Sequence, residues 1–292
     1  MRVLSVELIC INNSLFYHLR LMVHINIKVK PIPVNIENKV VAMVIKPGSY
    51  GELGEKERTL IKTTVGTVSD EQIDSIRASH TQDKIIFRHN KLKQSVKNLH
   101  NLFKTHSIME MSRKYDFTPM SIARQFLLLK YGKTQVKSLL KNIDSISDEK
   151  LRNEIKYIED NKLDIYVKTN QDASQEYAEL YEKRVGEFLT KHNVIFKTQA
   201  ELSEEQSSEH GRPINTPDFL IEGELFINGK QIHWIDAKNF YGSNSWKVKF
   251  SIKKQTKKYI DEWGSGAIIF SLGFTEGLTI NNNVHIFSVG RD

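Results

Sequence analysis

Asp218, Asp236 and Lys238 flank one short stretch of the chain and combine the residue types that phosphate chemistry needs. Two carboxylates at one strand end offer hard oxygen ligands of the kind Mg2+ or Mn2+ takes. Such an ion keeps several waters and shares its shell with substrate phosphates. The Lys238 side chain would orient an attacking water, or deprotonate it as the free amine, and as an ammonium would offset charge on a phosphorane-like transition state.

These residues meet only if the local elements bring them together. Asn228-Gly229 is a strong hairpin signal, and the flanks, 219–226 and 231–238, have the Ile, Phe, Leu and Trp content of strands. A strict two-residue turn pairs Ile227 with Lys230, leaves Asp218 opposite Asn239 and puts it on the face away from Asp236. A three-residue turn, with Gly229 left-handed in a bulge, pairs Asp218 with Lys238 and sets Asp236 diagonally beside them. The second register also gathers Phe219, Ile221, Leu225, Ile235 and Ala237 on the opposite face as a core. Pattern and chemistry both favour it.

Upstream, 172–191 reads as a helix with Ala178, Glu182, Val185 and Leu189 on one stripe. An acid on a core-facing stripe needs a partner, and a metal would serve. Downstream, Gln255 and Tyr259 form a Q-x-x-x-Y spacing on a further helix, 245–263.

Taken together, Glu182, Pro217-Asp218, Asp236-Ala237-Lys238, Gln255 and Tyr259 resemble the PD-(D/E)xK nuclease superfamily, and the Q-x-x-x-Y element is similar to its RecB-like branch. More closely, T-P-D-F, I-H-W-I-D-A-K and the following helix resemble the codanin-interacting nuclease family, also known by its T-P-D motif. The resemblance spans roughly residues 68–280 and is strongest across 176–275. It implies metal binding by Asp218, Asp236, the Ala237 carbonyl and Glu182, nucleophile positioning by Lys238, and organisation of the cleft or strand by Gln255 and Tyr259. It also implies a codanin-like protein partner if the source is an animal or a relative.

The remainder of the chain frames this site. Its 292 residues carry 42 basic and 35 acidic side chains, a net charge of +7, which favours an anionic partner such as nucleic acid. Lys253, Lys254, Lys257 and Lys258 concentrate that charge on the Gln255 helix, where phosphates would be held. Trp246, Phe250 and Tyr259 on the same helix are candidates for base stacking or for core. Cys10 is the only cysteine, so a disulfide framework is excluded and an intracellular compartment, nucleus or cytoplasm, is expected. Within 1–67, the apolar stretches 4–11 and 15–29 are interrupted by charge, which argues against a membrane span, and no functional role is read for this extension.

Residues 68–168 are expected to form an all-helical domain. Ser69 begins a capped helix and 84–106 is basic and amphipathic. Thr118-Pro119 starts a helix that Gly132 ends, and Ser147 caps another at 148–159. The pair 108–115 and 119–131 has helix-turn-helix spacing, with Ser121, Arg124 and Gln125 as DNA-facing candidates, but the turn lacks the usual glycine and packing inside a helical bundle is the commoner explanation. Residues 144–147 and 167–173 read as linkers. Residues 169–292 should form an α/β domain in which helices flank a mixed, restriction-endonuclease-like sheet, with strands at 194–197, 267–274 and 284–289 and a polar loop at 201–215. His233 is expected to pack, His210 to lie in that loop, and Asn239 and Tyr241 to bound the cleft. The function so described is Mg2+-dependent hydrolysis of phosphodiester bonds in nucleic acid, DNA before RNA. The alternative is a catalytically weak nuclease fold that binds nucleic acid or a chromatin factor.

Overall fold

The computed structural model describes residues 22–166 and 168–290. They form two compact units, one of Asn35–Glu176 and one of the described residues before Asn35 together with those from Tyr177 onward. Of the stretch read as an extension, strand β1 (Met22–Ile25) lies in the second of these, while helices α1 (Val34–Val44) and α2 (Glu55–Val65) fall almost wholly within the first. The apolar stretch 4–11 lies outside the described residues. No helix among the described residues is long and apolar enough to cross a membrane.

The helical unit continues with α3 (Asp70–Leu102), α4 (Ile108–Tyr115), α5 (Pro119–Tyr131), α6 (Lys133–Lys141) and α7 (Glu149–Asp160). Ser69 caps α3 in a reciprocal box with Gln72. Thr118 caps α5 by accepting the Ser121 N–H, and Pro119 opens the helix where its missing N–H costs nothing. At α7 the cap is Asp148, which accepts the Leu151 N–H, and not Ser147. The segment 143–145 is a single 3-10 turn and not an open linker. Helix α5 is the centre of the unit: Ile122, Ala123, Phe126 and Leu127 are buried in one core with Leu99, Met111, Leu151 and Ile155. Bundle packing therefore accounts for its greasy sequence.

Asp116, between α4 and α5, ties this unit together. Its backbone is left-handed (φ 57°) and ends α4, a conformation Asp tolerates better than most residues. Its carboxylate accepts the Gly48 N–H at 2.8 Å and the Tyr50 hydroxyl at 2.8 Å, and pairs with Lys84 at 2.7 Å and Arg88 at 3.3 Å. Burial works against its ionisation, but these donors outweigh it and hold the carboxyl below its ordinary pKa.

In the sheet unit, α8 (Lys168–Lys191) begins at Lys168, so 168–173 is helix and not linker. Strand β2 (Phe196–Thr198), α9 (Gln199–His210), β3 (Phe219–Ile227), β4 (Lys230–Lys238), α10 (Trp246–Trp263), β5 (Gly266–Phe270) and β6 (Val284–Ser288) follow. The six strands form one mixed sheet in the order β1-β3-β4-β5-β6, with β2 also paired to β3. β3 is antiparallel to β4 and β2, while β1–β3, β4–β5 and β5–β6 run parallel. Tyr181, Val185 and Leu189 of α8 cover one face; Val248, Ile252 and Tyr259 of α10 cover the other. The stripe on α8 thus runs through Tyr181 and not through Ala178, which is exposed.

Residues 199–210 are helix where a polar loop is expected. Only Leu202 of α9 is buried, so there is no apolar stripe to read. Its capping box, Thr198 with Glu201, is the one local signal that marks its start.

Removing the Asp116 carboxylate leaves two cations and a part-buried N–H without this partner. Asp116→Ala should destabilise the helical unit by on the order of 2–4 kcal/mol, measured by denaturant unfolding of the full chain. Asp116→Asn, which keeps the left-handed preference and one acceptor, should lose less. An Ala variant that unfolds at the wild-type midpoint contradicts this role.

Candidate active site

The hairpin turn is the two-residue form, contrary to the three-residue turn favoured by pattern. Asn228 and Gly229 both have positive φ (51° and 75°), and Ile227 pairs with Lys230. The Asn228 side chain also receives the Ile27 N–H and donates to the Ile27 carbonyl, at 2.8 and 2.9 Å, so the turn doubles as a clasp on the chain leaving β1. Alone, this turn would put Asp218 and Asp236 on opposite faces. The register shifts further along: Leu225 pairs with Ile232 but Leu220 with Trp234, so five residues of β3 run against two of β4. The three extra residues are an odd number, and an odd shift exchanges faces. Phe219 then pairs with Ile235, and one step further Asp218 stands across from Asp236.

Asp236 has no exposed surface. Its Oδ1 accepts the Gln255 side-chain amide at 3.1 Å, and its Oδ2 is ion-paired with Lys238 Nζ. Asp218 Oδ2 accepts the Ala237 N–H at 2.7 Å. Gln255 also donates to the Tyr259 hydroxyl, which in turn donates to the Thr216 carbonyl, each at 3.3 Å. One chain of polar contacts thus links β4, α10 and the Thr216-Pro217-Asp218 segment. Asp218, Asp236, Lys238, Gln255 and Tyr259 are brought together at the C-terminal end of β4.

Burial, then the Asp236 charge, pushes the Asp218 carboxyl up to about 8, despite Lys238 and the Ala237 N–H. Burial likewise raises Asp236 against the pull of Lys238. Glu182, half-buried on α8, is raised by burial and by Asp236 and lowered by Lys238, so it feels the same charges. Among the described residues, however, no three His, Cys, Asp or Glu cluster closely enough to hold a metal ion by themselves.

Some placements differ from expectation. Tyr241 is fully buried and bounds no cleft; Asn239 accepts the Ser271 hydroxyl at 2.9 Å. His210 ends α9 and is exposed. His233 is partly buried, and its N–H donates to Ser265. Lys253, Lys254, Lys257 and Lys258 are exposed on α10, and Lys257 pairs with Asp261 at 2.6 Å. Of the aromatic candidates, Tyr259 is buried, while Trp246 and Phe250 are exposed and stacked on each other at 4.8 Å. Gln199 is a positioning residue that the loop reading hides: its N–H donates to the Asp218 carbonyl at 3.0 Å and its side chain to the Thr216 carbonyl at 3.3 Å. The Thr198–Glu201 capping box is the signal that would have found it.

A raised carboxyl pKa contributes stability that is complete below the unfolded value and is lost as pH rises through the folded one. With Asp218 moved from 3.8 to about 8, the chelator-treated protein should lose stability between about pH 4 and pH 8. Asp218→Asn keeps an acceptor for the Ala237 N–H and cannot ionise. In EDTA at about pH 8 it should melt roughly 2–4 °C above wild type, the effect of about 1 kcal/mol, with no gain near pH 4. A variant that melts with the wild-type pH profile contradicts the assignment.

A family model described as "Protein of unknown function TPD sequence-motif" matches residues 147–289. The chain is 27% identical over 183 residues to CDAN1-interacting nuclease 1 of Xenopus laevis, covering 60% of this chain and 57% of that protein. It is 27% identical over 179 residues to the protein of the same name from Gallus gallus, covering 59% of each. It is also 34% identical over 101 residues to an uncharacterized protein of Acanthamoeba polyphaga mimivirus, covering 33% of this chain and 35% of that one. The chain spans less than two thirds of the length of these relatives. No solved structure matches. The matched span contains the T-P-D segment, the hairpin and α10 that build this site, and across it the chain is similar to the TPD sequence-motif family and to the codanin-interacting nucleases.

Proposed function

We propose that this protein is a divalent-metal-dependent nuclease with a restriction-endonuclease-like PD-(D/E)xK site. The observation that carries the reading is the fully buried Asp236, held by Gln255 and Lys238 beside a second carboxylate whose ionisation is also suppressed. A purely structural carboxylate pair has no reason to be assembled at such cost, since burial and mutual repulsion both oppose it. Perturbed titration of this kind clusters at functional sites. The relatives named as nucleases support the same reading.

The donor set fits a hard dication. Mg2+ takes one or two carboxylates and keeps its other positions for water and substrate phosphate, so a site without three clustered acids suits it. Asp218, Asp236 and the Ala237 carbonyl would hold the ion, with Glu182 reaching it directly or through water. Bound there, it would supply Lewis-acid polarisation of the phosphate and a hydroxide at neutral pH.

The protein's own groups perform the remaining work. Gln255 fixes the Asp236 carboxylate by its Oδ1, which leaves Oδ2 directed at Lys238. Lys238, mostly buried, keeps a positive charge at the reacting centre, where it orients the attacking water and offsets charge in the transition state. Tyr259 and Gln199 both fasten the Thr216 carbonyl, so the T-P-D segment is anchored from α10 and α9 and Asp218 is held in place. The exposed lysines of α10 supply the phosphate-binding charge, and DNA is the favoured substrate.

A second reading is that of a nuclease fold kept for binding. The relatives' names point to it, through a codanin-like protein partner.

Cleavage assays separate the two. Purified protein should cleave a DNA substrate with Mg2+ or Mn2+ and lose activity in EDTA. Lys238→Ala should reduce the rate by about 10²–10⁴-fold, and Asp236→Asn should abolish metal-dependent cleavage, both with nucleic-acid affinity little changed. Replacing Lys253, Lys254, Lys257 and Lys258 by Ala should weaken binding and flatten its salt dependence by about 0.9 in log–log slope per lost duplex contact. Equal cleavage by wild type and Asp236→Asn contradicts the enzyme and leaves the binding module.

A further inference from the structure

The helical unit contains a cavity of about 640 Å3, within the roughly 300–1,000 Å3 of small-molecule sites. It is separate from the carboxylate site, and every residue that lines it lies between Tyr50 and Tyr166. Its wall holds five cationic residues, Lys84, Arg88, Arg124, Lys137 and Lys141, against two acids, Asp116 and Glu159. Lys84 and Arg88 are committed to Asp116, which leaves the excess on α5 and α6. There Arg124 and Lys137 are exposed and form no ion pair with any described residue.

Gln125 supplies an independent sign. It is only 8% exposed, it lines the cavity, and its amide makes no hydrogen bond to any described residue. An amide on a cavity wall with no protein partner is free to hydrogen-bond whatever fills the cavity. Ser121 lies one turn before it, also on the wall.

Helix α5 buries Ile122, Ala123, Phe126 and Leu127, and its first turns form a wall of the cavity. Part of the wall is apolar, with Ile85, Leu92, Met120 and Leu140. A bare anion would leave that surface wet, and a neutral ring would leave the cations unused. We propose that this cavity binds a nucleoside monophosphate, with the phosphate on Arg124 and Lys137 and the base against the apolar wall where Gln125 can hydrogen-bond it. The monophosphate is either a free nucleotide or the terminal residue of a strand.

Calorimetric titration of the full chain decides the matter, with the four nucleoside 5′-monophosphates, the parent nucleosides, inorganic phosphate, and a short single strand with and without a 5′-phosphate. Monophosphates or the phosphorylated strand should bind, nucleosides should not, and added salt should weaken binding. Arg124→Glu with Lys137→Glu, both at exposed positions, should reduce affinity by about tenfold or more, the value of charge-assisted hydrogen bonds. Gln125→Leu should weaken binding while altering the preference among bases, and Asp236→Asn should leave it unchanged. Binding of the phosphorylated strand alone identifies a strand end as the source; binding of free monophosphates identifies a nucleotide. Monophosphates and phosphorylated strand that bind no better than nucleosides, or a charge-reversed protein that is folded by circular dichroism and binds as wild type does, overturn the proposal. Should Gln125→Leu fail to fold, the charge-reversed pair decides it alone.

Discussion

Asp236 is removed from water entirely, and an ionised carboxyl there costs several kcal/mol unless it is paired and hydrogen-bonded. The sheet unit is arranged around meeting that requirement. Lys238 comes from the same strand, two residues along and therefore on the same face. Gln255 must come from elsewhere, which requires α10 to lie across the sheet with its Val248–Ile252–Thr256–Tyr259 side inward. Trp234, on the same face of β4, is fully buried and packs edge-on against Tyr259 at 5.2 Å. It presses so closely on Gly266 that a Cβ there would meet the indole at 2.1 Å. The polar chain and the apolar packing thus fix the same helix in one position.

The second carboxylate depends on the irregularity in β3. A regular hairpin with an Asn-Gly turn cannot place Asp218 beside Asp236, because the two would point to opposite faces. The register shift between Leu220 and Leu225 reconciles the favoured turn with the chemistry. It also coincides with a division along the other edge of β3, where β2 pairs with residues 219–221 and β1 with residues 224–227. The bulge therefore lies where the strand changes partners, and strands commonly place bulges beside functional sites.

The helical unit has its own centre of gravity in Asp116, where a left-handed helix end, two cations, a tyrosine and a backbone N–H meet. That network leaves Arg124 of α5 and Lys137 of α6, which line the same cavity, with no ion pair to any described residue. Charge neutralised on one side and in excess on the other distinguishes a cavity that admits an anion from one that is merely solvated.

Local physics in the sequence determined most of the elements. The turn between α4 and α5, the caps at Ser69 and Thr118, the stop at Gly132, the Asn228-Gly229 hairpin and α10 all follow from groups within a few residues of one another. So does the gathering of Asp236 and Lys238, because strand alternation alone puts them on one face. Tertiary structure decided the rest. A register shift is set by which side chains the opposing layers bury; Gly223, inside the shifted stretch, is its local sign, but does not tell how many residues are taken up. Helix α9 is polar on every side, so only its capping box distinguishes it from a loop, and Gln199 stayed hidden with it. Tyr181 and Ala178 are both apolar enough to sit on a stripe, and contact with the sheet selected Tyr181. The alliance of Gln255 with Asp236 spans 19 residues and the anchoring of Thr216 by Tyr259 spans 43; pairings at that separation exist only once the helix has docked, because nothing shorter-range than the docked helix holds the two groups within hydrogen-bond reach.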